Sequence, residues 1–132
     1  MATVELAIVA VGLLLLLSLL AAAGRVSQAQ GAVNQAAADA ARQASLARSA
    51  AAAATSARSG ALSTLARQGL RCAGAQVSID TAAFSTAVGT DANVSATVTC
   101  PVALGDIALP GLPGTKVVTA TWVSPLDTIR ER

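Results

Sequence analysis

The stretch Met1-Ala2-Thr3-Val4-Glu5-Leu6-Ala7-Ile8-Val9-Ala10-Val11-Gly12-Leu13-Leu14-Leu15-Leu16-Leu17-Ser18-Leu19-Leu20-Ala21-Ala22-Ala23-Gly24 decides the fold. From Leu6 to Gly24 it runs 19 residues without a charge, and Ser18 is its only hydroxyl. Leu13 to Leu20 is apolar on every side of a helix. Such a run spans about 28 Å at ~1.5 Å per residue, enough to cross a bilayer. No Lys or Arg precedes it, so the basic start of a secretory signal is missing. A carboxylate, Glu5, stands at its edge instead, which is costly unless paired. The nearest partner is a free α-amino group on Met1, about 6 Å away along a helix axis. That amine can belong to the same chain or to a neighbour shifted along a bundle.

The rest of the 132 residues is equally biased. Hydrophobic residues make up 54% and charged residues 12%, and Ala alone supplies 33 positions. There is no His, and the two Cys are far apart, which argues against a zinc site or a His-activated nucleophile. One Phe and one Trp are too few for a base-stacking platform. No pattern calls for a cofactor, a metal or a catalytic residue. Asp80, Asp91, Asp106 and Asp127 lack calcium-loop spacing. Asn93-Val94-Ser95 matches a glycosylation acceptor but falls inside an expected strand. A mean hydropathy of +0.62 points to a membrane-linked chain.

Charge divides the chain into three. Residues 1–24 carry only Glu5. Residues 25–71 set Arg25, Arg42, Arg48, Arg58, Arg67 and Arg71 against Asp39, a net +5. Residues 72–132 carry a net −2. We expect an assembly helix over 1–24, an Ala-rich amphipathic helix over 25–71 and a small β-rich domain over 72–132.

The N-terminal arrangement resembles a processed type IV pilin, carried by Met1 to Ala10 with its Glu at position 5. The resemblance implies a free, methylated N-terminus and a leader removed after a Gly by a prepilin peptidase. Met1 is then the first mature residue. Arg25 and Arg42 follow the span and nothing basic precedes it, which favours a cytoplasmic C-terminal side. A removed basic leader resolves that conflict.

Residues 25–71 read as helix, since runs such as Ala36-Ala37-Ala38 and Ala50 to Ala54 are strong helix formers and no Pro occurs before Pro101. Val26, Val33, Ala40, Ala47, Ala54 and Ala61 form a heptad stripe, widened by Ala37, Ala44 and Ala51. This stripe predicts close packing between neighbouring rods. Asp39 and Arg42 are placed as i,i+3 neighbours. Joined to the first segment, the rod reaches up to ~70 residues, or about 100 Å. A break at Ser59-Gly60 would free residues 61–70 as a short helix.

Beyond Gly69 the period becomes two. Gln76 to Asp80, Asn93 to Cys100 and Thr115 to Val123 read as strands, with Val94, Ala96, Val98 and Cys100 on one face and Val118, Ala120 and Trp122 on another. The fold class is therefore α+β: a long N-terminal helix and a small C-terminal three-stranded antiparallel sheet. Cys72 and Cys100 are expected to form one disulfide in an exported domain. The connection Pro101 to Gly114 is unusually apolar, with Val102, Leu104, Ile107, Leu109 and Leu112, and should cover the helix or meet a neighbour.

As a whole the chain resembles a TadE-like pilin of the Tad (tight adherence) system. The resemblance rests on Ala2 to Ala7, on Gly31 to Arg42 and on Val123-Ser124-Pro125-Leu126-Asp127. Leu6 stands where the short major pilins of such systems have Tyr after Glu, and Val11 where TadE-like sequences often have Pro. The resemblance implies a structural subunit, not an enzyme. It implies a homo-polymer, a helical extracellular filament at the cell surface used for adhesion or DNA uptake. The inner membrane would hold the subunit before assembly. Other partners implied are the prepilin peptidase and assembly machinery, other pilins and, non-specifically, DNA. A single-pass envelope receptor or sensor, with stalk and cap acting as a monomer, is the alternative.

Overall fold

The computed structural model describes residues 1–107, 111–127 and 129. The first helix, α1, runs from Ala2 to Leu46 without interruption, 45 residues and about 67 Å at ~1.5 Å per residue. It ends at Ala47, whose backbone is extended. Ser49 then accepts a hydrogen bond from the Ala52 amide (3.2 Å) and starts α2, Ala50–Arg67. A side-chain cap of this kind supplies an acceptor to a helix start that otherwise has none. Three residues, Ala47 to Ser49, thus connect two helices that pack as a hairpin.

This corrects the expected rod in two respects. The break lies at Ala47–Ser49, not at Ser59-Gly60. And Gly60 is where α2 comes close to α1, not where α2 ends. A Cβ at Gly60 would sit 3.0 Å from Gln43 Cγ and 3.9 Å from the Asp39 carbonyl oxygen. The missing side chain lets the two backbones approach. The heptad stripe also serves the chain itself. Val33, Ala37, Ala40, Ala44 and Ala61 are buried inside the protein, whereas Ala51 and Ala54 face outward. In α2 the buried row is Ala53, Ala57, Ala61 and Leu65, spaced by four, so Ala54 falls off it.

Asp39 pairs across the hairpin, not with Arg42. Thr64 donates its hydroxyl to Asp39 Oδ2 (2.5 Å), Arg67 donates to Thr64 Oγ1 (3.1 Å), and the Arg67–Asp39 pair stands at 3.9 Å. Thr64 is buried, and this bond satisfies its hydroxyl. The Thr64→Val substitution keeps the shape but removes the shortest hydrogen bond to a half-buried carboxylate. It should lower stability by about 1–3 kcal/mol, read as a shift of the urea midpoint at unchanged slope.

After α2, Gly69 adopts φ +70°, with Gly69 N–H bonding the Ala66 carbonyl and Leu70 N–H the Leu65 carbonyl (3.1 Å each). A left-handed glycine with these paired bonds is the Schellman way of closing a helix. It turns the chain toward Cys72, which is disulfide-bonded to Cys100 with Cα atoms 5.1 Å apart. The Ala73 amide bonds the Pro101 carbonyl at 2.8 Å beside it.

Three strands follow: β1 (Gln76–Asp80), β2 (Ala92–Ala103) and β3 (Thr115–Leu126), antiparallel in the order β1-β2-β3. Val77 stands opposite Val98, and Val98 opposite Ala120. A short 3-10 turn, Ala82–Ser85, joins β1 to β2, and a single helical turn, α3 (Leu104–Ile107), follows β2. Val94, Ala96, Val98, Cys100 and Val102 are fully buried with Val118 and Ala120, and they share one core with the second half of α1. Side-chain alternation across the strands aims them all at the helices. Trp122 shares their parity but stays 52% exposed, although Val118 and Ala120 on the same strand are buried. On the solvent face the Thr97 and Thr121 hydroxyls meet at 2.9 Å.

The segment expected as an apolar loop is mostly structured. Pro101 to Ala103 extend β2, with Val102 fully buried, and Leu104 packs on the core. Its Leu109 and Pro110, and the side chain of Ile107, lie outside the described residues.

Candidate functional site

The first contact of α1 with the core of its own chain comes late. Burial begins at Ala29, and from there Ala32, Val33, Ala36, Ala37, Ala40, Ala41 and Ala44 are covered by α2 and the sheet. Val26 is already partly buried against that core, and ahead of it the helix is exposed over most of its surface. Leu6 is 71% exposed and Leu16, among the least exposed leucines there, still 53%. About 40 Å of helix therefore projects from a compact head at ~1.5 Å per residue. It is the one helix among the described residues long and apolar enough to cross a membrane.

The polar groups of this stalk are few, and its charged side chains stand at its ends. Ser18 donates its hydroxyl to the Leu14 carbonyl at 2.8 Å, so it needs no outside partner in an apolar setting. Glu5 lies in the first turn of α1, where a carboxylate complements the helix dipole. The Glu5 amide bonds the Met1 carbonyl at 3.2 Å, but the Glu5 carboxylate and the Met1 amine form no ion pair within the chain. Arg25 closes the uncharged run at its other end.

Among the described residues no cluster of His, Cys, Asp or Glu is placed to hold a metal, and both Cys are in the disulfide. The head's clefts are open, and one of about 560 Å³ lies where the stalk enters it. The candidate surface is the bare stalk, with Met1 and Glu5 at its exposed end. Sequence reasoning singled out both residues. It missed the helical hairpin, whose one signal was Arg48-Ser49 ahead of five alanines, a capping residue camouflaged by strong helix formers on both sides.

No curated protein and no solved structure matches the chain. A family match spans the whole stalk and most of the part of α1 that enters the core, ending at Arg42. Residues 1–42 are similar to the family described as TadE-like protein.

Proposed function

We propose that this protein is a structural pilin subunit of a Tad-type pilus, polymerising through its N-terminal helix into an extracellular filament. The bare stalk carries this reading. A helix apolar on all sides must be covered on all sides, by lipid or by copies of itself. Lipid covers it before assembly, and neighbouring stalks cover it afterwards. The TadE-like match over residues 1–42 associates the chain with the Tad pilus system. The protein's chemistry is then non-covalent packing, and we assign it no catalytic residue.

The test is crosslinking along the stalk. Leu13, Leu14, Leu15 and Leu16 advance by about 100° each and so cover every side of the helix. Each is replaced singly by Cys, and surface material is sheared from cells and oxidised. All four variants should yield ladders of dimers and higher multimers. Chains that remain monomeric and stay with the membrane at all four positions would refute polymerisation and leave a single-pass envelope protein.

A further inference from the structure

The cleft at the neck has features the filament reading does not use. It is lined from α1 by Arg25, Gln28 and Gly31, from the end of α2 by Gln68 and Gly69, and from α3 by Asp106. Its volume of about 560 Å³ is within the range of small-ligand sites. Arg25 is the first charge after the uncharged run, so with the stalk in a bilayer the cleft opens at the level of the lipid headgroups.

The charge in the cleft is mixed. Arg25 is a cation, and Gln28 and Gln68 add amide donors. Asp106 is an anion, and α2 directs its C-terminal, partly negative end here. A phosphate alone would meet repulsion from Asp106, and an amine alone repulsion from Arg25. A headgroup carrying both charges satisfies both sides.

Gly31 is the second observation. It lies within α1, where glycine costs about 1 kcal/mol relative to alanine. Unlike Gly60, no neighbour explains it, for a Cβ there would meet nothing within 4 Å. Its missing side chain widens the cleft and serves no contact inside the chain.

We propose that this cleft binds the headgroup of a zwitterionic aminophospholipid of the phosphatidylethanolamine class before assembly. Arg25, Gln28 and Gln68 hold the phosphate oxygens. Asp106 and the end of α2 take the primary ammonium, which donates hydrogen bonds that a choline headgroup lacks. The lipid thereby sets the depth and tilt at which the head sits on the membrane. The proposal rests on the membrane-inserted stage of the function proposed above.

The full-length protein is inserted into vesicles containing equal amounts of phosphatidylcholine, phosphatidylethanolamine and phosphatidylglycerol. It is then extracted in mild detergent, and the co-purifying lipid is identified by mass spectrometry. Wild type should retain phosphatidylethanolamine about tenfold over the other two, the factor expected for one charge-assisted hydrogen bond. Gly31→Leu, whose Cβ meets no neighbour, fills the cleft and should abolish the enrichment while the circular dichroism spectrum stays native and the melting temperature does not fall. Asp106→Asn should shift the preference to phosphatidylglycerol, and Arg25→Gln should lose both. Equal retention of all three lipids by wild type, or undiminished enrichment in Gly31→Leu, overturns the proposal. Enrichment of phosphatidylglycerol by wild type overturns the zwitterionic assignment. Failure of the protein to float with vesicles overturns the membrane stage itself, which separates that outcome from the others.

Discussion

Glu5→Leu leaves the chain in the membrane and abolishes its assembly: that is the expected result, and its size follows from where the carboxylate must go. In the bilayer Glu5 sits at the edge of the apolar run, within reach of headgroups and water. In a bundle of stalks it loses that water and needs a cation. The Met1 amine of the same or an adjacent stalk is the one that a helix of this register presents. Removing one partner of a dehydrated pair costs about 3–5 kcal/mol, which converts to at least about a hundredfold in the assembly equilibrium. Glu5→Leu also improves membrane insertion, so the inserted pool should rise while sheared filament falls. Glu5→Gln, which keeps the shape and loses the charge, should assemble almost as poorly. Filament yields at the wild-type level from both variants would remove Glu5 from the assembly reaction.

The second large effect concerns the head. The Cys72–Cys100 bridge closes a loop with a sequence separation of 28. Constraining a loop of that length in the unfolded chain is worth roughly 3–4 kcal/mol in the chain-entropy model. The head has little else to spare, since its helical half of the core is built largely from alanines and small domains bury little area per residue. Cys72→Ala with Cys100→Ala should therefore lower the melting temperature by about 15 °C. The double alanine variant is the cleaner choice, because Cys100 is fully buried and a serine there would leave a hydroxyl in the core. Reduction of the wild-type protein should give a drop of similar size, measured by circular dichroism in the same detergent. A change under about 3 °C in both experiments would mean that the bridge is dispensable to the fold.

How far the fold was legible differs from segment to segment. The strands were plain, because alternation from Asn93 to Cys100 has no competing reading, and β2 simply runs three residues further. The disulfide followed from there being only two Cys in an exported context. The hairpin was illegible for the opposite reason. Polyalanine fits every helical phase, so nothing in Ala36 to Ala61 tells an inward alanine from an outward one. Ala40 and Ala54 fall in the same heptad register, yet one is buried and the other exposed. Asp39 misled in the same way. Its sequence neighbour Arg42 was the obvious partner, but the fold brings Thr64 and Arg67 from 25 or more residues away. For the candidate site, Glu5 and the apolar run were visible at once, because a carboxylate and a leucine tract are unambiguous. The neck cleft was not, since Arg25 and Asp106 meet there only through the closing turn of α2 and the helical turn after β2.

One property of α1 bears on how force would pass through such a subunit. The helix continues from Ala2 to Leu46 with neither a proline nor a flexible joint between stalk and head. Tension applied to the stalk therefore enters the head along the helix axis. There α1 lies beside α2 and β3, with Gln30 donating to the Thr119 carbonyl (3.3 Å) and Ser124 donating to the Ser45 hydroxyl (3.3 Å). To draw the helix out, these contacts and the alanine packing must all slide at once, where a zipper would open them in succession. The head is thus loaded in shear, its stronger direction, while the Cys72–Cys100 bridge lies off the line of pull and keeps the sheet tied to α2 if the helix slips.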